Sequence, residues 1–177
     1  LFLCNSSFIF AENLRKKMKE FTHVCHYTLY PFDELSDADR TLVLAAQEAT
    51  QRSYAPYSHF HVGAAARLDD GTVVTGSNQE NAAFPSGLCA ERTTLFYAGA
   101  QYPDRAVEAL AIAAADANGL TPTPTPPCGA CRQVMLETET RSGRPMRILL
   151  YGTQGVYVFE GVSQILPLTF DGSFLKE

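Results

Sequence analysis

Apolar and polar positions alternate most clearly between residues 60 and 68, where Phe60, Val62, Ala64, Ala66 and Leu68 share one face of an extended chain. Asp70-Gly71 follows as a two-residue hairpin turn, and "TVVTGS" (72–77) is the antiparallel return. Upstream, residues 36–53 carry a helical period in Leu42, Ala46, Ala49 and Ser53. Ser36 suits the N-cap, and Asp37 and Asp39 occupy the first turn, where the helix dipole favours negative charge. Pro56, in "YAPYS", ends that pattern.

"NQENAAFPSG" reads as a loop, and residues 88–99 as a second helix. "AVEALAIAAA" (106–115) is apolar almost throughout, as a strand buried on both faces should be. "DANGLTPTPTPP" is too rich in proline for a helix or strand and reads as a stiff, partly extended connector. Residues 129–140 form a third helix, and 146–150 and 156–160 two short strands. The link between those strands is too short for a crossover helix, so they pair antiparallel. The order is α-β-β-α-β-α-β-β. It predicts an α/β fold, a three-layer α-β-α sandwich around a mixed five-stranded sheet, with ligands near helix N-termini at strand ends.

The 177 residues suit one domain with a real core. Residues 1–17 precede the first Met, Met18, and read as an upstream extension, leaving 18–177 as the single domain. "LFLCNSSFIF" is apolar but lacks the basic start and cleavage site of a secretory signal, and no run is long enough to cross a membrane. The net charge of −5 argues against a surface that tracks nucleic-acid phosphates, but not against an uncharged nucleoside.

Five cysteines in a chain of this length fit metal binding better than a disulfide framework. "PCGACRQ" (127–133) alone is a redox pair, half of a structural zinc site or part of a catalytic one. Cys89 changes the balance. It opens one helix while Cys128 and Cys131 open another, and one buried strand separates them, so three thiols can converge at two helix N-termini where thiolates are favoured. Three sulfur ligands leave one tetrahedral position of Zn²⁺ open, the mark of a catalytic site. Glu91, two residues after Cys89, can shuttle protons beside that position without binding the metal. Arg92 and Arg132 are adjacent cations that can donate to the sulfurs and offset thiolate charge.

"CAER" followed by "PCGACRQ" resembles the three-cysteine cytidine deaminases of the small homotetrameric kind, and so do "SYAPYSHFHVGAA" (53–65), "GSNQENAAFPSGLCAERT" (76–93) and "ILPLTF" (165–170). The resemblance covers roughly residues 33–170. It implies one zinc per subunit on Cys89, Cys128 and Cys131, with Glu91 carrying protons while hydroxide attacks C4 of the pyrimidine. It also implies a base edge held near Ala90, a ribose-hydroxyl pair in Asn78 and Glu80, and Phe60 against the base. Phe170 would be placed over a neighbouring subunit's site. The implied protein is a cytoplasmic homotetramer of pyrimidine salvage acting on cytidine and deoxycytidine, with no nucleic-acid or membrane partner. Two departures concern the pocket rim: Phe84 stands where many relatives have Tyr, and the Thr-Pro connector is longer than usual.

Other readings stand beside these. Phe60 and Phe170 also suit plain packing, Glu80 a solvated loop, and Asn81 a turn cap. His59 and His61 flank Phe60 in a strand pattern and read as non-ligands. Cys25 or His26, in "HVCHY" (23–27), could close the zinc into a structural, non-catalytic site. A deaminase of a cytosine-containing nucleoside antibiotic, of the blasticidin S type, shares the same cysteine framework.

Overall fold

The computed structural model describes residues 18–175. The proposed extension, residues 1–17, lies outside them. The seven strands are β1 (Thr28–Tyr30), β2 (His61–Leu68), β3 (Val73–Ser77), β4 (Val107–Asp116), β5 (Gly119–Leu120), β6 (Arg147–Gly152) and β7 (Gly155–Glu160). They form one sheet in the order β1-β7-β6-β4-β2-β3, with β5 beside β4. The helices are α1 (Asp37–Ala49), α2 (Ala90–Gln101) and α3 (Gly129–Ser142).

The β4/β6 pair is parallel, and the other ladders are antiparallel, including the β6/β7 hairpin expected from its short link. The three layers follow from β4. Its Val107, Leu110 and Ile112 join one cluster with Leu95 of α2 and Met135 of α3. The alternate Ala109, Ala111 and Ala113 join a second cluster with Leu42, Val43 and Ala46 of α1. A strand buried on both faces reads as a continuous apolar run because neither face meets water.

Three expectations are corrected. The sheet has seven strands rather than five, since β1 pairs along β7 and the two-residue β5 pairs with β4 at the start of the connector. The β2–β3 turn is not a two-residue loop: Leu68 N donates to Thr72 O at 2.9 Å, which leaves Asp69, Asp70 and Gly71 between them. Gly71 takes φ +86°, as the αL position of a three-residue hairpin requires. Strand β2 starts at His61 and not Phe60, because His59 has φ 54° and turns the chain.

Helix α1 begins as the sequence indicates, with Ser36 Oγ accepting from Asp39 N at 3.2 Å. Helix α2 lies hard against β3. A Cβ on Gly76 would stand 2.6 Å from Thr94 Oγ1 and 2.9 Å from Thr94 N, so only glycine permits this approach. Thr94 is fully buried and donates to Ala90 O at 2.8 Å. Glu139 of α3 accepts from Met146 N and Val162 N at 3.0 and 2.9 Å, fixing the far end of that helix to the sheet. No helix among the described residues is long and apolar enough to cross a membrane.

Candidate active site

Cys89 is the N-cap residue of α2, and Cys128 that of α3. Cys131 lies in the first turn of α3 and is fully buried. The sulfurs of Cys89 and Cys128 are 3.8 Å apart, those of Cys128 and Cys131 3.4 Å, and all three lie within 4.8 Å of one another. These separations are far beyond a disulfide bond, and the cysteines are free. They do match the donor set of a tetrahedral zinc, whose Zn–S distance of about 2.3 Å gives sulfur–sulfur edges of about 3.8 Å.

The electrostatics favour charge on this cluster. The Cys89 thiol is pulled down to about 5 by its hydrogen bond with Cys131 and by Arg92, whose Nη2 donates to Cys89 Sγ at 3.7 Å. The same bond to Cys89, then burial and the nearby Glu91 carboxyl, push Cys131 upward. Arg92 Nε is buried without a hydrogen-bond partner, so the sulfurs are what compensates this guanidinium. Glu91 is only 4% exposed. Burial, opposed by a backbone hydrogen bond and reinforced by the Cys89 charge, raises its carboxyl above the usual range.

A cavity of about 500 Å³ opens beside Cys89 and Arg92, lined also by Asn78, Glu80, Tyr57, Phe84 and Leu88. Its volume suits a small organic ligand. Asn78 bridges the end of β2: its Oδ1 accepts from Val62 N at 2.8 Å and its Nδ2 donates to Phe60 O at 2.9 Å. Each atom keeps one further bonding capacity. Glu80 Oε2 accepts from the Tyr57 and Ser58 N–H groups at 2.9 and 3.3 Å. The Ser58 hydroxyl and the Tyr57 N–H hold its carboxyl below the usual range.

The model of the family described as "Cytidine and deoxycytidylate deaminase zinc-binding region" matches residues 36–143, which contain all three sulfurs. The chain belongs to this deaminase family. It is similar to the cytidine deaminase of Halalkalibacterium halodurans, at 42% identity over 77% of this chain and 96% of that one. The cytidine deaminase of Sporosarcina psychrophila is 40% identical over 77% of this chain and 90% of its own length. Among solved structures, the Burkholderia pseudomallei cytidine deaminase superposes with a TM-score of 0.63 at 40% identity, covering 73% of this chain and 97% of that one. The Mycobacterium tuberculosis cytidine deaminase gives a TM-score of 0.58 at 32% identity, covering 77% and 98%. The protein is a zinc-dependent hydrolytic deaminase of this family.

The residues singled out in the sequence fall into three groups. Cys89, Ala90, Glu91, Arg92, Cys128 and Cys131 gather at the two helix starts, while Asn78 and Glu80 line the cavity next to Cys89. Phe60 is half-buried and Phe170 is 58% exposed, and neither lines the cavity of this chain. The Phe170 ring stacks on Phe174 at 5.7 Å, and its carbonyl accepts from Gln133 Nε2 at 2.8 Å.

Arg132 corrects an expectation. Its Nε donates to Pro127 O at 2.9 Å and its Nη1 to Ile165 O at 2.8 Å, so it grips main chain instead of a sulfur. Cys25, the candidate fourth ligand, lies in a separate groove with Tyr27, Pro127 and Arg132. His26 N donates to Gln164 Oε1 at 2.9 Å. The His61 ring bonds Ser53 Oγ at 2.6 Å through Nδ1, and Asn81 Oδ1 caps its turn by accepting from Ala83 N at 2.9 Å.

Sequence reasoning missed Tyr57 and Ser58, whose main-chain N–H groups orient Glu80. Tyr57 also packs edge-on against Phe84, with ring centroids 6.2 Å apart. The quoted "SYAPYSHFHVGAA" contains both residues, but a main-chain donor leaves no mark in side-chain chemistry.

Proposed function

We propose that this protein deaminates cytidine and deoxycytidine to uridine and deoxyuridine with release of ammonia, in cytoplasmic pyrimidine salvage. The observation that carries this reading is the meeting of three cysteine sulfurs with a buried carboxyl at the edge of a nucleoside-sized cavity. Cys89, Cys128 and Cys131 hold the zinc. When bound, the ion supplies the Lewis acidity that makes water a nucleophile at neutral pH.

The protein's own groups do the rest. Glu91 accepts the proton that the attacking water loses and delivers it to N3 of the base; it then takes the second proton from the new C4 hydroxyl and passes it to the departing amine, as the C4–N bond breaks and the C4 carbonyl forms. Its burial suits this task, because a carboxyl raised toward neutrality both takes and gives a proton readily. The main chain at Ala90, first residue of α2, holds the base edge. Asn78 and Glu80 take the sugar hydroxyls with the capacity left to them after bonding β2 and the Tyr57–Ser58 main chain.

We read residues 18–177 as the deaminase domain and the active form as a homotetramer. Leu168 is fully exposed at a φ of 54°, and Phe170 projects two residues later, which supports a tail shaped to meet a neighbouring subunit. Glu91→Ala is the decisive test. It should keep zinc and fold but lower turnover by about 10²- to 10⁴-fold, the usual worth of a positioned acid–base group. Undiminished turnover would remove Glu91 from the mechanism. Sedimentation of a monomer with full activity would refute the tetramer.

A further inference from the structure

The Thr-Pro connector is clamped at both ends. At its start, Thr121 N donates to Ala114 O at 2.9 Å, and the β6–β7 turn reaches over it, with Thr153 N to Thr121 O at 3.0 Å and Gln154 N to Pro122 O at 3.1 Å. Below that turn lies Gly152, the last residue of β6, paired in register with Gly155. A Cβ on Gly152 would stand 2.5 Å from Pro122 O, 2.6 Å from Pro124 N and 2.7 Å from Thr123 C, all of them main-chain atoms. At its other end, Arg132 holds Pro127 O and ties it to Ile165 O. Between the clamps, Pro124 and Pro127 are buried, and Cys128 follows directly.

We propose that Gly152 and Arg132 are positioning residues for the zinc ligands, acting through this connector to set where Cys128 stands. Four prolines in Thr121–Pro127 fix φ along the arm, so a shift at Pro122–Pro124 is passed on instead of absorbed. An ordinary carbon contact is about 3.5 Å, so a methyl at Gly152 must push the connector by roughly 1 Å. Metal–ligand distances tolerate only about 0.2 Å. This role explains why Arg132, beside two sulfurs in sequence, turns away from them. It rests on the three-sulfur zinc site, and the test separates the two.

The full chain, stripped of metal, is titrated with zinc against a chromophoric chelator and with cobalt, whose thiolate charge-transfer band reports ligand geometry. Gly152→Ala is expected to bind zinc about 10- to 100-fold more weakly, the range seen when supporting groups around a metal site are lost, and to shift the cobalt band. Gly71→Ala is the control. It strains a backbone at φ +86° in the β2–β3 turn with nothing within 4 Å of the new methyl, so it destabilises the sheet without pushing the connector. It should bind zinc as the unsubstituted protein does. Where Gly152→Ala does not fold, Arg132→Gln releases the other clamp and should show the same loss. Zinc affinity and cobalt spectrum unchanged in the folded variant, or an equal loss in Gly71→Ala, would overturn the inference. An unsubstituted protein that takes up no zinc would instead sink the site itself, and this inference with it.

Discussion

Helices α2 and α3 bring their N-termini to one point, but the two ends are built differently. At α2, Cys89 is flanked by reactive neighbours: Glu91 is buried in the first turn, and Arg92 donates to the sulfur. At α3, the helix's own cation does not serve the sulfurs: Arg132 holds carbonyl oxygens of the connector and of Ile165, and Cys131 meets Glu91 and Arg92 only across from α2. The sulfurs differ accordingly, with Cys89 drawn down to about 5 and the buried Cys131 pushed up. On the proposed mechanism this is a division of labour, with proton transfer and charge compensation assigned to α2 and ligand placement to α3.

The largest effect should come from the contrast between Cys131→Ala and Glu91→Ala. The first removes a buried ligand and should abolish both zinc binding and turnover, measured as bound metal per chain and ammonia release. The second should leave zinc stoichiometry intact while turnover falls. Equal metal loss in both would erase the distinction between the helices.

A smaller effect is expected from Arg92→Gln, which removes the cation paired with Cys89. Zinc affinity should fall about tenfold or more, read by chelator competition, with the cobalt band little moved because no ligand changes position. A band shift as large as that of Arg132→Gln would mean that Arg92 also sets geometry. The smallest effect is expected outside both helices. Phe170→Ala should raise KM by about 2- to 10-fold, the worth of one aromatic contact, and leave zinc content unchanged. An unchanged KM would confine Phe170 to its stacking on Phe174.

Much of this was legible in the sequence because it depends on local periodicity. The helices and the five longer strands lie within a few residues of their expected places. Strand β1 was not legible: it is three residues long at the sheet edge, and its exposed Thr28 and Leu29 give no alternation to read. Phe60 fits the alternation of β2 yet lies outside the strand, because the left-handed turn at His59 is imposed by the loop and not by the residue type. At the site, the convergence of the three cysteines was readable from chemistry and spacing. The partner of Arg132 was not, since a guanidinium beside two sulfurs in sequence can point elsewhere once Ile165 is folded next to it. The connector holds no helix or strand from Thr121 to Pro127, as its prolines indicate, but β5 occupies Gly119–Leu120 at its start, and its anchorage depends on the β6–β7 turn, thirty-odd residues further on.

The loop ahead of Cys89 has a consequence of its own. Gln79 N donates to Leu88 O at 2.8 Å and Leu88 N to Gln79 O at 2.9 Å, so the loop is stapled shut at its base. Asn81, Phe84 and Gly87 in the loop face the cavity, yet the chain enters α2 from a fixed point whatever the tip contains. The loop is thus an exchangeable cassette. Its tip can be lengthened or rewritten to reshape the cavity, because closing a longer loop between fixed ends adds little entropy, while Cys89, one residue beyond the staple, stays where it is.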